Sequence, residues 1–184
     1  MTLATQLRPA ATVIAAATIV LGGIIPLGFV AAARLAAPGQ AGGSMIEAGG
    51  HVVGSALIGQ AFTQPRYVHP RPSATSPAYN ADSSSASNLG PTSKTLIERI
   101  RTDLAGRHDI APDAVTTSGS GLDPDISPDN ARQQIARIAT ARGLPPERIA
   151  DLVAKHTQAP DFGIFGEPRV NVLELNIALD ALGR

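Results

Sequence analysis

The sequence predicts a single N-terminal transmembrane helix followed by one mixed α/β (α+β) soluble domain. An uncharged apolar run covers residues 9–33, and a helix needs only about 20 such residues to cross a hydrocarbon core. Downstream, stretches with the apolar spacing of amphipathic helices alternate with β-prone and Gly/Pro-rich stretches. The chain therefore divides into a tail at 1–8, the transmembrane helix at 9–33, a juxtamembrane spacer at 34–50 and the soluble domain at 51–184.

The apolar run admits two interpretations. Arg8 before the run and the small residues Ala31, Ala32 and Ala33 at its end have the pattern of a cleaved secretory signal. Such signals have an apolar core of about 7–15 residues, and this run is longer, so we favour a retained anchor. The glycines within the run would let a partner helix approach closely, although glycine is also common in membrane spans generally.

Flanking charge predicts the orientation of the anchor. Arg8 and Arg34 lie at its two ends, and the α-amino group adds positive charge to the short N-terminal side. After Arg34, the next basic residue is Arg66. Because positive flanks favour the cytoplasmic face, we expect a cytoplasmic N-terminus and a soluble domain outside the cytoplasm.

Composition excludes several classes of function. The 15 basic and 15 acidic residues give a net charge of zero, without the basic stripe of nucleic-acid-binding proteins. The absence of cysteine excludes disulfides, thiolate catalysis and zinc–thiolate sites. The sequence lacks the Walker A, Rossmann and HExxH patterns, and its four histidines do not have the spacing of metal ligands.

The soluble domain begins with a predicted strand and a long polar stretch. Residues 51–62 alternate between apolar and small polar residues, which predicts a strand interrupted at Gly54 or Gly59. Residues 63–91 are mostly Pro, Ser, Asn, Ala and Thr, a composition that permits disorder. Because Tyr67 and Tyr79 lie within this stretch, we favour an ordered, functional loop.

A helix and a short strand are predicted next. The apolar spacing over Thr92–Leu104 indicates an amphipathic helix, with Thr92 as its cap and Gly106 at its end. Ala114–Thr117 is a candidate strand.

Three further helices follow. One begins after the N-cap Ser127, with Pro128 in its first position, and ends at Gly143. The next covers about 147–156. The last begins near Asn171, with Glu174 placed to complete a capping box.

Two candidate sites can be written from the residues alone. Asp123, Asp125 and Asp129 lie close enough in sequence to hold a hard cation. We favour the simpler interpretation, in which they cap and charge a helix N-terminus. Ser120, His156 and Asp123 provide the residue types of a catalytic triad, but their spacing gives it no support. Residue chemistry therefore indicates a membrane-anchored, non-enzymatic domain.

Several longer motifs carry a family resemblance. They are GSALIGQAF at 54–62, RPSA at 71–74 with YN at 79–80, SGSGLDP at 118–124 with ISP at 126–128, and GEPRVNV at 166–172. In this order, they make the chain resemble the C-subunit family of Kdp potassium-transporting P-type ATPases. One segment departs from the family, whose Ser-Gly-Gly-Ser-Asn appears here as SSASN at 84–88. The missing glycines call into question any turn there that requires a positive φ.

The resemblance implies a non-catalytic accessory subunit of an ATP-driven potassium uptake complex in the cell membrane. It implies three protein partners: the potassium-translocating subunit, the ATP-hydrolysing subunit and a small accessory subunit. The subunit would help to assemble them and would raise the ATP affinity of the hydrolysing subunit. The alternative function is a membrane-tethered or secreted enzyme or binding domain.

The resemblance also implies ATP as the nucleotide of the complex, no metal of the chain's own, and Gln134 as a nucleotide contact. The charge-based orientation conflicts with that contact, because it places the soluble domain where ATP is scarce. Gln134 also borders the apolar stripe of its helix, so a role at the edge of the core is an equal alternative.

Overall fold

A computed structural model describes residues 3–104 and 108–182 of the chain. The chain separates into two compact units, one up to Met45 and one from Ile46 onwards. One long apolar helix is followed by a region of helices and small antiparallel sheets. The predicted α+β fold class is confirmed.

The first unit contains the predicted membrane span. Its helix runs through α1 (Leu3–Ile19), a π-helical turn (Val20–Ile24) and α2 (Ile25–Ala36). The candidate span is Thr5–Ala36, and an 18-residue window within it has a mean hydropathy of 2.4. Pro26 has no N–H, and its ring would clash with the carbonyl four residues earlier in an α-helix. The π turn, in which the Ile25 N–H bonds to the Val20 carbonyl, accommodates this proline.

Regular structure also lies within the segment predicted as a spacer. The short helix α3 (Pro38–Ala41) is followed by strands β1 (Met45–Ala48) and β2 (His51–Ser55), which form a two-stranded sheet. Gly49 and Gly50 join them with φ values of 61° and 81°, as a two-residue hairpin turn requires. The predicted division at 50/51 falls between these two strands, and four residues were too few to reveal β1 in the sequence.

The second unit contains most of the predicted helices. They are α4 (Lys94–Leu104), α5 (Pro128–Gln133), α6 (Ile135–Arg142), α7 (Pro146–Lys155) and α8 (Val172–Leu182). Ser127 caps α5 as predicted, because its Oγ accepts a hydrogen bond from the Asn130 N–H at 3.1 Å. Gly143 ends α6 in the left-handed conformation, with φ 65°. The helix predicted between these residues is interrupted at Gln134.

Two local predictions were wrong. Ala114–Thr117 is not a strand: a 3₁₀ turn covers Pro112–Ala114, and the Thr116 hydroxyl donates back to the Pro112 carbonyl at 2.8 Å. The cap of α4 is Ser93, whose Oγ accepts from the Leu96 N–H at 3.4 Å, and not Thr92. The predicted helix end at Gly106 lies outside the described residues.

A three-stranded antiparallel sheet joins distant parts of the second unit. Its order is β3 (Asp125–Ile126), β5 (Arg169–Asn171) and β4 (Thr157–Gln158), with β5 in the centre. Helices α5 to α8 pack with this sheet around a core of aliphatic side chains. Its fully buried members include Val68, Ala131, Ile138, Ile149, Val170, Leu175 and Leu179.

Candidate functional site

The polar stretch at 63–91 forms a long loop. Its segment 65–69 is held by hydrogen bonds from side chains and not by pairing with a neighbouring strand. Each of its five backbone carbonyls accepts a hydrogen bond from a side chain of α6, of α8 or of Gln134, which lies between α5 and α6. Arg137 donates to residues 65 and 67 at 2.6 and 3.0 Å, and Arg142 donates to residue 66 at 2.7 Å. Asn176 and Gln134 donate to residues 68 and 69, each at 3.0 Å. Residues 65–69 are therefore ordered, which agrees with the predicted order of the stretch 63–91 in which they lie.

Two amide side chains bind both backbone groups of one residue, an arrangement that we call an amide clamp. Asn176 accepts from the Val68 N–H at 2.8 Å in addition to donating to the Val68 carbonyl. Gln134 forms the same pair of bonds with His69: it accepts from the His69 N–H at 2.8 Å and donates to the His69 carbonyl. Val68 and Asn176 are 0% and 2% exposed. The Asn176 clamp thus satisfies backbone groups that are shielded from water.

The Gln134 amide has all of its hydrogen-bonding capacity in use. An amide provides two N–H donors and two acceptor lone pairs. The Nε2 group donates to the His69 carbonyl and to Asn130 Oδ1, both at 3.0 Å. The Oε1 atom accepts from the His69 N–H at 2.8 Å and from Arg137 Nη2 at 2.5 Å. A ligand that contacts this amide must displace one of these four partners.

Several of the motifs that carry the family resemblance meet in one polar cluster. Arg71 Nη1 donates to Asp123 Oδ2 at 2.8 Å, and the Tyr79 hydroxyl donates to the Arg71 carbonyl at 2.6 Å. The Ser73 hydroxyl donates to the Gly121 carbonyl at 2.7 Å. Burial raises the pKa of Tyr79 far above its ordinary value, so its phenol stays neutral and remains a donor. We call Arg71, Ser73, Tyr79, Gly121 and Asp123 the motif cluster.

Gly59 brings a further motif into the motif cluster. Its N–H donates to the Leu122 carbonyl at 2.8 Å. A Cβ atom at Gly59 would lie 2.5 Å from the Asp123 carbonyl oxygen and 2.5 Å from Tyr79 Cε1. The backbone approaches so closely here that only glycine fits.

The three aspartates proposed as cation ligands are each paired with a different arginine. Asp123 bonds to Arg71 at 2.8 Å, Asp125 lies 3.5 Å from Arg169, and Asp129 pairs with Arg132. Across residues 3–104 and 108–182, no group of three or more acidic or histidine side chains is arranged to hold a metal. Asp129 lies in the first turn of α5, as the helix-capping interpretation predicts.

The residues of the hypothetical triad make other contacts. The Ser120 hydroxyl pairs with the Ser118 hydroxyl at 3.3 Å and accepts from the Leu122 N–H at 3.1 Å. The Asp123 carboxylate bonds to Arg71 and to the Asp125 N–H. Within the described residues, no hydrogen bond joins the side chains of Ser120, His156 and Asp123.

The family model described as "K+-transporting ATPase, c chain" matches residues 7–181. The chain belongs to the KdpC family. It is 52% identical over 183 residues to the potassium-transporting ATPase KdpC subunit of Caulobacter vibrioides NA1000, covering 96% of this chain and 93% of that protein. It is 49% identical to the KdpC subunit of Rhodopseudomonas palustris BisB18, covering 96% and 98% of the two chains.

These findings establish the class of protein to which the chain belongs. It is a single-pass membrane protein, with one candidate membrane helix among the described residues, at Thr5–Ala36, and a KdpC-family subunit of a potassium-transporting ATPase. The motif cluster gathers residues from four of the sequence motifs on which the resemblance rests.

The segment that departs from the KdpC family pattern folds without the missing glycines. Ser85 and Ala86 replace them, and the positive-φ residue of this segment is Asn88, at 52°. Asparagine adopts this conformation more readily than most residues. The Ser85 N–H and the Ser84 hydroxyl both donate to the Ser120 carbonyl, at 2.9 and 3.0 Å. The segment therefore joins the SGSGLDP loop through hydrogen bonds that do not require glycine.

The residues beside Gln134 lack the groups with which a Walker-type loop holds a triphosphate. A cleft of about 400 Å³ lies there, lined by His69, Pro70, Pro72, Ile110, Ala114, Asn130, Gln133, Gln134 and Arg137. The Arg137 guanidinium already donates to two carbonyls and to Gln134. Burial lowers the pKa of His69, which favours its neutral form. These described lining residues provide neither the lysine nor the glycine-rich loop that usually hold a triphosphate.

Sequence reasoning missed Asp113, which organises the start of α5. Its carboxylate accepts from the Ser127 N–H at 2.8 Å, the Ser127 hydroxyl at 2.7 Å and the Asn130 side chain at 3.0 Å. Burial alone would raise the pKa of Asp113, but these hydrogen bonds outweigh it and the pKa is lowered. The sequence contained no signal for this role, because Asp113 lies 14 residues before its partner.

Proposed function

We propose that this chain is the non-catalytic accessory subunit of an ATP-driven potassium uptake complex. It helps to assemble and stabilise the potassium-translocating and ATP-hydrolysing subunits, together with a small accessory subunit. The match of the KdpC family model over residues 7–181 is the observation that carries this proposal.

Two features support a non-catalytic role. The sequence lacks a phosphate-binding loop of the Walker type. In the part of the chain that the structure describes, Thr5–Ala36 is the single candidate span, and one helix cannot enclose an ion path by itself. ATP hydrolysis and potassium passage therefore belong to the partner subunits in this proposal.

The subunit raises the ATP affinity of the complex by conformational coupling, and ATP is bound by the hydrolysing subunit. This part of the proposal rests on the saturated amide of Gln134 and on the poor fit of its cleft to a triphosphate. A subunit that favours one state of the pump alters ATP affinity without touching ATP, with coupling free energies of about 1–3 kcal/mol.

Omission of the chain from the purified complex tests this function. Because the coupling is lost, we expect the KM for ATP of potassium-stimulated hydrolysis to rise about 5- to 150-fold. The measurement is hydrolysis by complexes purified with and without the chain. Equal KM values, or ATP turnover by the chain alone, would contradict the proposal.

A Gln134→Ala arm distinguishes coupling from direct contact. We expect this variant to destabilise the chain, because His69 loses its amide clamp, while the complexes that still assemble keep the KM for ATP of the unmodified complex. Gln133→Ala is the matched control, since Gln133 forms a similar pair of bonds with the Asp109 carbonyl and the Ala111 N–H. A rise in KM with Gln134→Ala alone would restore Gln134 as a nucleotide contact.

We also propose that the soluble domain lies outside the cytoplasm, on the basis of the charges that flank the anchor. The chain contains no cysteine, and Ser85 is exposed, so Ser85→Cys introduces a unique accessible thiol. A membrane-impermeant thiol reagent should label this variant on intact cells. Thr2→Cys, on the other side of the anchor, should react only after lysis, and the opposite pattern would reverse the orientation.

A further inference from the structure

A tight turn in the second unit presents three large apolar side chains to solvent. Phe162, Ile164 and Phe165 are 92%, 78% and 66% exposed. We call these three residues the apolar tip. Monomeric soluble domains tolerate scattered exposed apolar residues, but a contiguous group of this size usually marks an interaction site.

The turn that carries the apolar tip is held in a defined conformation. The Asp161 N–H donates to the Phe165 carbonyl at 2.8 Å, and the Phe165 N–H donates to the Asp161 carbonyl at 3.0 Å. Gly163 and Ile164 add backbone hydrogen bonds to Pro160 and Asp161, at 2.9 and 3.2 Å. The exposure of the tip is therefore a property of an organised turn.

Phe162, the first residue within the turn, adopts a backbone conformation that is unfavourable for a bulky residue. Phe162 has φ 55°, a left-handed conformation that asparagine and glycine adopt more easily than a bulky residue. An aromatic side chain here gains no burial within the second unit, because it is 92% exposed. Its ring is therefore accessible to a partner.

The charges around the apolar tip indicate the nature of its partner. Asp161 and Glu167 flank the tip, and no basic residue occurs between them. Arg169, the next basic residue, lies 3.6 Å from Asp161 and 3.5 Å from Asp125. Membrane-surface segments instead carry Lys or Arg beside their apolar residues. Arg169 offsets the charge of Asp161, and Glu167 keeps the flanks acidic, which favours a protein surface over an anionic bilayer.

We propose that the apolar tip is a docking element that inserts into an apolar socket with a basic rim on another subunit of the transport complex. This inference rests on the proposed function, which provides the other subunits. Aromatic residues that enter a partner's pocket commonly carry much of the binding energy of an interface.

A Phe162→Asn/Phe165→Ser variant of the full chain tests the docking role. We expect its association with the other subunits to weaken about 10- to 30-fold, as for the loss of interface hot spots. The thermal midpoint of the isolated chain should stay the same or rise, because asparagine is suited to the left-handed position. A purely structural role of the tip predicts the opposite change in midpoint. Leu57→Ser is the matched control, since Leu57 is an apolar residue with 64% exposure.

Photo-crosslinking in native membranes identifies the occupant. A benzophenone amino acid at position 162 of the full chain should form a covalent product with another subunit of the complex. Adducts with phospholipid alone, or with a second copy of the chain alone, would overturn the proposal. Normal co-purification of the double variant would also overturn it while leaving the proposed function intact. Failure of the unmodified chain to co-purify would instead refute the proposed function.

Discussion

Asn176→Leu should lower the free energy of unfolding of the chain by about 2–5 kcal/mol, because two buried backbone groups lose their partners. Leucine keeps the branched shape and the number of side-chain heavy atoms of asparagine but is bulkier, so the expected loss combines the missing hydrogen bonds with a packing cost. The Val68 N–H and carbonyl, now bound by Asn176 at 2.8 and 3.0 Å, would remain buried without hydrogen bonds. Thermal and urea denaturation of the full chain in detergent would measure the loss.

Gln133→Leu is the control for this prediction. Gln133 also binds two backbone groups, but its side chain is exposed. Water replaces the amide at the Asp109 carbonyl, so only the N–H of the buried Ala111 loses a partner. We expect a change below about 1 kcal/mol for an exposed hydrogen-bonding residue. If Asn176→Leu and Gln133→Leu had equal effects, the Asn176 amide clamp would not be a main source of stability.

Gly59→Ala should destabilise the chain by about 1–3 kcal/mol, the usual cost of forcing an added group into a packed site. The added Cβ would meet the Asp123 carbonyl oxygen and the Tyr79 ring, each at 2.5 Å. Backbone at Asp123 cannot retreat without disturbing the ion pair with Arg71. The same denaturation measurements apply, and the near-ultraviolet circular dichroism of Tyr79 should change with them.

Gly119→Ala is the matched control for Gly59→Ala. Gly119 belongs to the SGSGLDP loop, and a Cβ atom there would meet no atom within 4 Å. We expect its stability to equal that of the unmodified chain within about 0.5 kcal/mol, as for most surface substitutions. A tolerated Gly59→Ala would show that the Asp123 loop can move aside.

The helices were predictable from the sequence, and so was strand β2 (His51–Ser55), which lies in the stretch predicted as a strand. The shorter strands were not. The helical region that begins after Ser127 and ends at Gly143 was predicted correctly, because caps and left-handed ends leave local sequence signals. Strands β3, β4 and β5 contain only two or three residues each, too few for alternation to appear. Ala114–Thr117 had the composition of a strand, but the fixed φ of Pro112 and the Thr116 back-bond favour a turn.

The candidate site was predictable only in part, for a physical reason. Gln134 was identified through the family resemblance, whereas its hydrogen bonds with His69 depend on a segment 65 residues away. The sequence did contain a signal for the role of Asn176. Asn176 is an amide beside Leu175 on the apolar face of α8, and both residues are buried. A polar residue on an apolar helix face requires a buried partner, but the sequence does not show which backbone group provides it.

The amide clamps also determine when the long loop can acquire its structure during folding. Val68 and His69 are joined to residues 108 and 65 positions away, and Arg66 to a residue 76 positions away. Bringing such distant residues together lowers the conformational entropy of the chain before the favourable contacts form. The loop, although it precedes helices α5 to α8 in the chain, must wait for them to assemble. A nascent chain therefore keeps residues 65–69 unprotected until the C-terminal helix has been made.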